Sequence, residues 1–325
     1  MKAIRYHRYG SPEVLRLEDV DLPALGDEDM LIRVRAASVN PLDWHFIRGL
    51  PYIVRPGNGL LRPSDGGVGV DVAGYVEKAG KGVTRFSPGD EVFGCVATLG
   101  TVAEYVRMHQ DAAALAKPAN QSFEQAASVP VAGVTALQAL RDHGRLQPGQ
   151  KVLVNGAAGG VGTFTVQIAK ALGAEVTGVC STRNVELVAS IGASRVIDYT
   201  GQDFTRSGQR HDLLIDIAGN RPFAAYRRVL TPDAMVVGVG GPNKGHVLGP
   251  MTRVIKALLL SRFTRQQVTF FLAKPSSGDL AVLRDLLVAG KVTPVIDRCY
   301  PLSESAEAIR YLEAGHARGK IVITM

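Results

Sequence analysis

Apolar and polar positions divide this chain into two textures. Up to about residue 117, apolar residues come in short or alternating runs, at 2–6, 30–39, 71–76, 90–93 and 102–106, separated by turn signals such as Ser87-Pro-Gly-Asp90. Alternation puts every second side chain on one face of a sheet, so this part reads as β-rich. Residues 48–69 are rich in Gly and Pro and show no period, which predicts a long loop of the kind that often carries function.

From Ser122 the period changes. Ser122 and Gln125 form a capping-box pattern that opens a helical run to His143, broken at Pro130 and Gly133. Strand-like segments at 151–155, 175–180, 195–198 and 212–217 then alternate with helical segments at 160–172 and 184–191, and 221–230 and 234–239 continue the series. Such alternation predicts crossover units and a parallel sheet. Beyond residue 276 a helix (279–289), a strand (295–300), a helix (303–315) and a strand (320–324) follow. The pattern leaves open whether that last strand extends the parallel sheet or returns to the β-rich part.

Composition narrows the classes. A chain of 325 residues has room for two domains, and its 46% hydrophobic and 21% charged content is that of a soluble globular protein. No apolar run reaches the ~18 residues of a membrane span; the best, 254–260, is short and carries Lys256. The start, Met1-Lys-Ala-Ile-Arg-Tyr-His7, has early charges and no apolar core, so no secretory signal is expected. Cys95, Cys180 and Cys299 are far apart and form no C-x-x-C pair, which points to a reducing cytoplasm. The net charge of +7 is spread along the chain, apart from Arg253, Lys256, Arg262 and Arg265, which read as a solvated helix face. Neither a nucleic-acid nor a membrane partner is expected, and a multiply phosphorylated cofactor accounts for the basic balance.

The decisive stretch is Lys151-Val-Leu-Val-Asn-Gly-Ala-Ala-Gly-Gly-Val-Gly162. An apolar strand runs to Asn155 and a helix starts near Gly160. Between them Ala157, Gly159 and Gly162, with Gly160 and Val161, make an A-x-G-x-x-G version of the dinucleotide turn. Without a Cβ, Gly159 lets backbone approach the pyrophosphate; Gly162 lets helix and strand pack closely; the helix N-terminus favours the negative charge. At the end of the second strand, where NAD-binding proteins place a carboxylate for the ribose, this chain has Ser181, Thr182 and Arg183. Two hydroxyls and a guanidinium suit a 2′-phosphate, which predicts NADPH as cofactor. The same residues also fit a helix cap with an exposed arginine.

Several stretches together resemble the medium-chain dehydrogenase/reductase family, in its zinc-free quinone oxidoreductase branch. They are Ala37-Ser-Val-Asn-Pro-Leu-Asp-Trp44, Gly69-Val-Asp-Val-Ala-Gly74, Phe86-Ser-Pro-Gly-Asp-Glu-Val-Phe-Gly94, Val131-Ala-Gly-Val-Thr-Ala136, the Gly-rich turn and Gly319-Lys-Ile-Val-Ile323. The run from Cys180 to Val188, with Val196-Ile-Asp-Tyr199, is similar to plastid-type alkenal and quinone reductases and to the reticulon-interacting mitochondrial protein. The resemblance implies an α/β fold: a Rossmann doubly wound parallel sheet (121–261) inserted in a GroES-like β-rich domain (1–120 plus 262–325), with the active site in the cleft between them. It implies that Ser181, Arg183 and Tyr199 hold the 2′-phosphate, that Asn40 and Thr135 line the nicotinamide pocket, and that Phe271 and Lys320 lie in segments meeting the cofactor. Tyr199 as an ordinary packed aromatic and Lys320 as a surface charge remain alternatives. Relatives often pair through the Rossmann sheet, so a homodimer is expected on the same ground.

Zinc-dependent members of that family carry Cys in a C-G-x-D segment and His in a G-H-E segment. The matching stretches here are Asn40-Pro-Leu-Asp43 and Gly69-Val-Asp71, so Asn40 and Val70 stand where two ligands would be. A catalytic zinc needs three protein ligands; scattered His7, His45 and His109 are the remaining candidates, and no metal is expected. Without a Lewis acid, alcohol oxidation loses its main electrophilic help. A quinone or an α,β-unsaturated carbonyl accepts hydride without one, given positioning and a hydrogen-bond donor on the developing oxyanion. The predicted reaction is therefore hydride transfer from NADPH to such an acceptor. Asn40 donates to the carbonyl or fixes the nicotinamide, and Tyr52 lines the substrate mouth or supplies a proton. Trp44 bounds the pocket or sits in the core, and Asp43 holds an internal salt bridge. The competing readings are a catalytically idle NADPH-binding sensor or partner module, with helix 251–262 serving a partner or capping the active site, and a zinc-dependent alcohol dehydrogenase.

Overall fold

The computed structural model describes residues 1–240, 257, 261 and 264–325. The proposed helix 251–262 and the basic residues Arg253, Lys256 and Arg262 lie outside them, apart from positions 257 and 261. The chain divides into two compact units, residues 1–132 with 275–289 and 294–325, and residues 133–274 with 290–293.

The first unit holds strands β1 (Lys2–Arg5), β2 (Arg16–Asp19), β3 (Asp29–Val39), β4 (Asp71–Ala79), β5 (Glu91–Cys95), β6 (Tyr105–His109) and β7 (Ala113–Ala116), with helices α1 (Pro41–Arg48) and α2 (Phe123–Ala127). Helix α3 (Pro130–Gln138) begins where this unit ends. The second unit alternates β8 (Lys151–Asn155), α4 (Gly160–Ala171), β9 (Glu175–Cys180), α5 (Val185–Ser190), β10 (Arg195–Asp198), β11 (His211–Asp216), α6 (Phe223–Tyr226), β12 (Leu230–Gly238) and β13 (Gln267–Phe270). Helix α7 (Ser277–Val288), strand β14 (Ile296–Pro301), helix α8 (Ser305–Glu313) and strand β15 (Lys320–Thr324) return to the first unit.

That return answers the question the apolar pattern left open. β15 pairs antiparallel with β3, Ile321 opposite Val39, and parallel with β14. The sheet runs β14-β15-β3-β4-β5-β7, with β6 also on β3. Its inner face, with Ile32, Val34, Val72, Val92, Ile321 and Ile323, buries the core of the unit.

In the second unit the order β10-β9-β8-β11-β12-β13 is parallel throughout. Numbered from β8, this is 3-2-1-4-5-6, the doubly wound order of dinucleotide-binding sheets. The order reverses between β8 and β11, and ligands of such sheets lie at the strands' carboxyl ends beside that point. Apolar runs such as Val152-Leu153-Val154 and Leu213-Leu214-Ile215 are fully buried, as a sheet covered on both faces requires.

Local departures have local causes. The run expected as one helix from Ser122 to His143 is two helices and a single π turn at Ala139–His143; Ser122 caps α2, accepting from the Gln125 N–H. Because α2 packs on β3 and β4, it belongs with the first unit, and because β13 extends the parallel sheet, residues up to 274 belong with the second. The observed division therefore falls later in the chain than the cuts at 120 and 261. The stretch 48–69 is not featureless: residues Tyr52–Gly57 form a 3₁₀ helix. No helix among the described residues is long and apolar enough to cross a membrane.

Candidate active site

In the second unit the Gly-rich turn leads from β8 into α4. Gly156 takes φ +95°, a backbone that side chains disfavour. Gly159 is the N-cap of α4 with φ −81° and ψ 177°, and Thr163, donating to the Gly159 carbonyl at 2.9 Å, is the first residue with an α-helical acceptor. The N–H groups of Gly160, Val161 and Gly162 thus form the open first turn, which suits an anion. A Cβ on Gly162 would meet the Gly156 carbonyl oxygen at 2.1 Å, whereas one on Gly159 would meet nothing nearer than that oxygen at 3.7 Å. Ala157 is buried beneath the turn.

Beside the turn lies a polar cluster that sequence reasoning missed. The Asn155 Nδ2 lies 2.8 Å from Asp216 Oδ1, 3.0 Å from Asn220 Oδ1 and 3.2 Å from the Tyr226 hydroxyl; the Gly219 N–H also donates to Asp216. Asn155 and Asp216 end β8 and β11, the two strands flanking the reversal. The available signal was a polar residue closing each apolar strand run.

Ser181, Arg183 and Tyr199 gather at the carboxyl ends of the neighbouring strands β9 and β10. Ser181 Oγ accepts from Asn184 at 3.2 Å, which leaves its hydroxyl proton for a further acceptor. Tyr199 is half exposed, so it is not a packed core aromatic. The sequence has Ser181, Thr182 and Arg183 where a carboxylate is usual, but a carboxylate stands beside them all the same: Asp198, accepting from the Thr182 hydroxyl at 2.6 Å and from Thr200. The Thr182 bond, with those of Thr200, holds the Asp198 carboxyl below its usual range. Thr182 is therefore engaged, and an anion is its neighbour. The parallel pairing of β9 with β10 brings the two together from separate strands.

A second cluster forms in the first unit. Strand register builds it: Lys320 precedes the Ile321–Val39 pair, and Ser38 pairs with Asp71 across β3 and β4. Asn40 follows β3 directly and caps α1, with Pro41 in the first turn. Lys320 Nζ donates to Asn40 Oδ1 at 2.6 Å and to the Val39 carbonyl at 3.0 Å, and lies 3.7 Å from Asp71 Oδ2. Asn40 Nδ2 and Ser38 Oγ both donate to Asp71 Oδ2 at 2.9 Å, and the Val131 N–H donates to its other oxygen. Asp43 accepts the N–H groups of Asn40 and Gly69.

Lys320 is 3% exposed, which overturns its reading as a surface charge. Burial draws its ammonium below the usual lysine value, opposed by Asp71 and Asp43. Burial also raises Asp71, against the pull of Lys320, and pushes Asp43 up to about 7 despite its two N–H donors. Asp43 thus serves as an acceptor for backbone N–H groups and makes no salt bridge among the described residues; the acidic partner of Lys320 is Asp71.

The other candidates are placed individually. Trp44 is buried in the core of the first unit, its ring tilted by 31° against that of His45 with centres 3.6 Å apart. Tyr52 is half exposed, with the Arg55 guanidinium 4.6 Å from its ring centre. In the second unit Thr135 lies half-buried on α3, and the Phe271 ring stacks on His143 at 4.1 Å. Val70 is buried and apolar. His7 and His109 pair with Glu18 and Glu28, and His45 bonds the Leu50 carbonyl. Among the described residues no three His, Cys, Asp or Glu side chains gather as a metal site.

Residues 26–119 match the family described as the alcohol dehydrogenase GroES-like domain, and residues 191–323 match the zinc-binding dehydrogenase family. The chain is 33% identical to the chloroplast envelope quinone oxidoreductase homolog of Arabidopsis thaliana, over 99% of this chain and 98% of that protein. It is also 33% identical to the NADPH-dependent alkenal/one oxidoreductase of the same plant, over 99% and 79% of the two. Among solved structures, the quinone oxidoreductase from Coxiella burnetii superposes with a TM-score of 0.88 at 32% identity, covering 100% of this chain and 99% of the other. With its doubly wound sheet inserted between the two parts of a GroES-like domain, the chain belongs to the medium-chain dehydrogenase/reductase family, in the quinone oxidoreductase branch.

Proposed function

We propose that this protein is an NADPH-dependent, zinc-independent reductase that transfers a hydride to a quinone or an α,β-unsaturated carbonyl. The observation that carries this reading is what fills the family's metal-ligand positions. The Cys position is Asn40, the His position is the apolar Val70, and a cation is already present as the Lys320 ammonium, 2.6 Å from Asn40 Oδ1. A carboxamide bonded to an ammonium is a poor zinc ligand set, whereas its remaining N–H is a ready donor to a carbonyl oxygen.

The residues present fit the cofactor. Gly159 has space in front of it where a Cβ would be, beside the open N–H groups of Gly160, Val161 and Gly162, which would receive the pyrophosphate. Ser181, Arg183 and Tyr199 would hold the 2′-phosphate, and Thr135 and Phe271 would border the nicotinamide. When bound, NADPH supplies the hydride. Asn40 Nδ2 donates to the acceptor carbonyl as negative charge develops on it. Tyr52 borders the substrate entrance, and solvent or its hydroxyl returns the proton. The cysteines are all free, which supports a reducing compartment such as the cytoplasm.

Stopped-flow oxidation of NADPH with 1,4-benzoquinone, 9,10-phenanthrenequinone and an alkenal tests the reading. Turnover with at least one acceptor is expected. Tight NADPH binding with no turnover on any of them would overturn it in favour of an idle binding module.

A further inference from the structure

Asn40 is 4% exposed, yet its hydrogen bonding is incomplete. Its Oδ1 accepts from the Lys320 ammonium and its Nδ2 donates to the Asp71 carboxylate. A side-chain amide has two N–H donors, and the second has no partner among the described residues. The charges on either side distinguish the two ends of the amide. Turned over, its oxygen would face a carboxylate and its NH₂ an ammonium, exchanging two charge-assisted bonds for two repulsive contacts.

We propose that Lys320 and Asp71 are positioning residues that lock the Asn40 amide in one orientation, so that Asn40 presents a donor, and no acceptor, to a bound ligand. The locked amide selects ligands that place an acceptor oxygen at that point: a quinone or enone carbonyl, and above all the enolate or quinol oxyanion formed from it. An alcohol hydroxyl seeking to donate finds no acceptor on Asn40. The ammonium also withdraws electron density through Oδ1, which strengthens the free N–H as a donor. Lys320 thereby supplies positive charge behind the reacting oxygen while never needing to touch it. Ser38 and Val131 complete the Asp71 side of the lock, and Asp43, the other carboxylate facing Lys320, orients the Asn40 backbone.

This inference rests on the reductase reading, so its test has one arm independent of turnover. That arm follows the Asn40 side-chain NH₂ by NMR in the full-length protein. Two separate proton resonances are expected, at least one exchanging with solvent far more slowly than in exposed asparagines; exchange as fast as in exposed asparagines overturns the lock. In the double variant K320M/D71N both charges leave together, so neither is stranded. Exchange should then quicken on the order of tenfold or more, because only the charges distinguish the amide's two ends. Unchanged exchange in a folded double variant also overturns the proposal. In the catalytic arm kcat should fall on the order of tenfold to a hundredfold with NADPH affinity held within about threefold, the pattern of a lost transition-state donor; an unchanged kcat counts against it. A protected Asn40 amide in a protein that reduces nothing would sink the reductase reading and leave the lock standing. If the double variant does not fold, the wild-type exchange measurement still decides.

Discussion

Two glycines three residues apart in the dinucleotide turn should fail for different reasons when replaced by alanine. At Gly162 the new Cβ would sit 2.1 Å from the Gly156 carbonyl oxygen and under 3.0 Å from two backbone atoms of Ala157. Backbone cannot rotate aside as a side-chain tip can, so the turn and α4 must separate by about 1 Å, an overpacking that costs roughly 1–3 kcal/mol. Alanine's better helix propensity returns up to ~1 kcal/mol. A net loss of about 1–2 kcal/mol should lower Tm by roughly 2–8 °C in a unit of this size. At Gly159 the backbone angles are open to alanine and the nearest atom is 3.7 Å away. The poorer N-cap and the reduced freedom of the unfolded chain, each worth about 0.5–1 kcal/mol, nearly cancel, so Tm should hold within about 2 °C. Yet that Cβ would occupy the space proposed for the pyrophosphate, and the NADPH Kd should rise at least ~10-fold, a loss of about 1.4 kcal/mol. Differential scanning calorimetry and fluorescence titration with NADPH on both variants measure the two effects. If Gly159→Ala keeps wild-type affinity, the pyrophosphate does not approach here; if Gly162→Ala keeps wild-type Tm, close strand-to-helix packing is not its role.

Three further outcomes follow from the same geometry. Arg183→Ala should weaken NADPH on the order of tenfold to a hundredfold and leave NADH nearly unchanged, as expected for loss of a charge-assisted phosphate contact, while Asp198→Asn should strengthen NADPH by removing the neighbouring anion. Parallel titrations with the two cofactors decide, and equal NADPH and NADH affinities in the wild type would refute the 2′-phosphate assignment. Asp43, whose pKa rises from its ordinary 3.8 to about 7, holds a proton in the folded state that the unfolded chain releases, so its contribution to stability is present at acid pH and lost as pH climbs through that window. The urea midpoint of Asp43→Asn should therefore lie furthest below wild type near pH 4 and approach it towards pH 7; a constant gap would mean that Asp43 titrates normally. Finally, dialysis against a strong zinc chelator should leave turnover unchanged, and loss of activity restored by zinc would reinstate the metal.

What could be read from the linear chain depended on whether the determining contacts were local. The crossover at 151–172 was legible because strand period, Gly spacing and helix period all lie within one short stretch, and the structure follows it nearly residue for residue. Strands β2, β7 and β13 carry no comparable local signal. Residues 267–270, Gln-Val-Thr-Phe, alternate polar and apolar over four positions only, and pairing with β12 in the parallel sheet sets their strand. The site shows the same division. Ser181 and Arg183 were visible as departures from an expected carboxylate, but Asp198 arrives from the next strand through a pairing no window spans. For Lys320 the linear chain leaves a surface charge open beside a residue that meets the cofactor, until β15 is laid against β3, which sets it next to Asn40 from 280 positions away and buries it. That burial argues for function over fold. A Lys, an Asp and an Asn in one apolar interior cost more than well-packed hydrophobic residues of the same volume. A chain selected for stability alone would have no reason to keep them where a donor-only amide is the product.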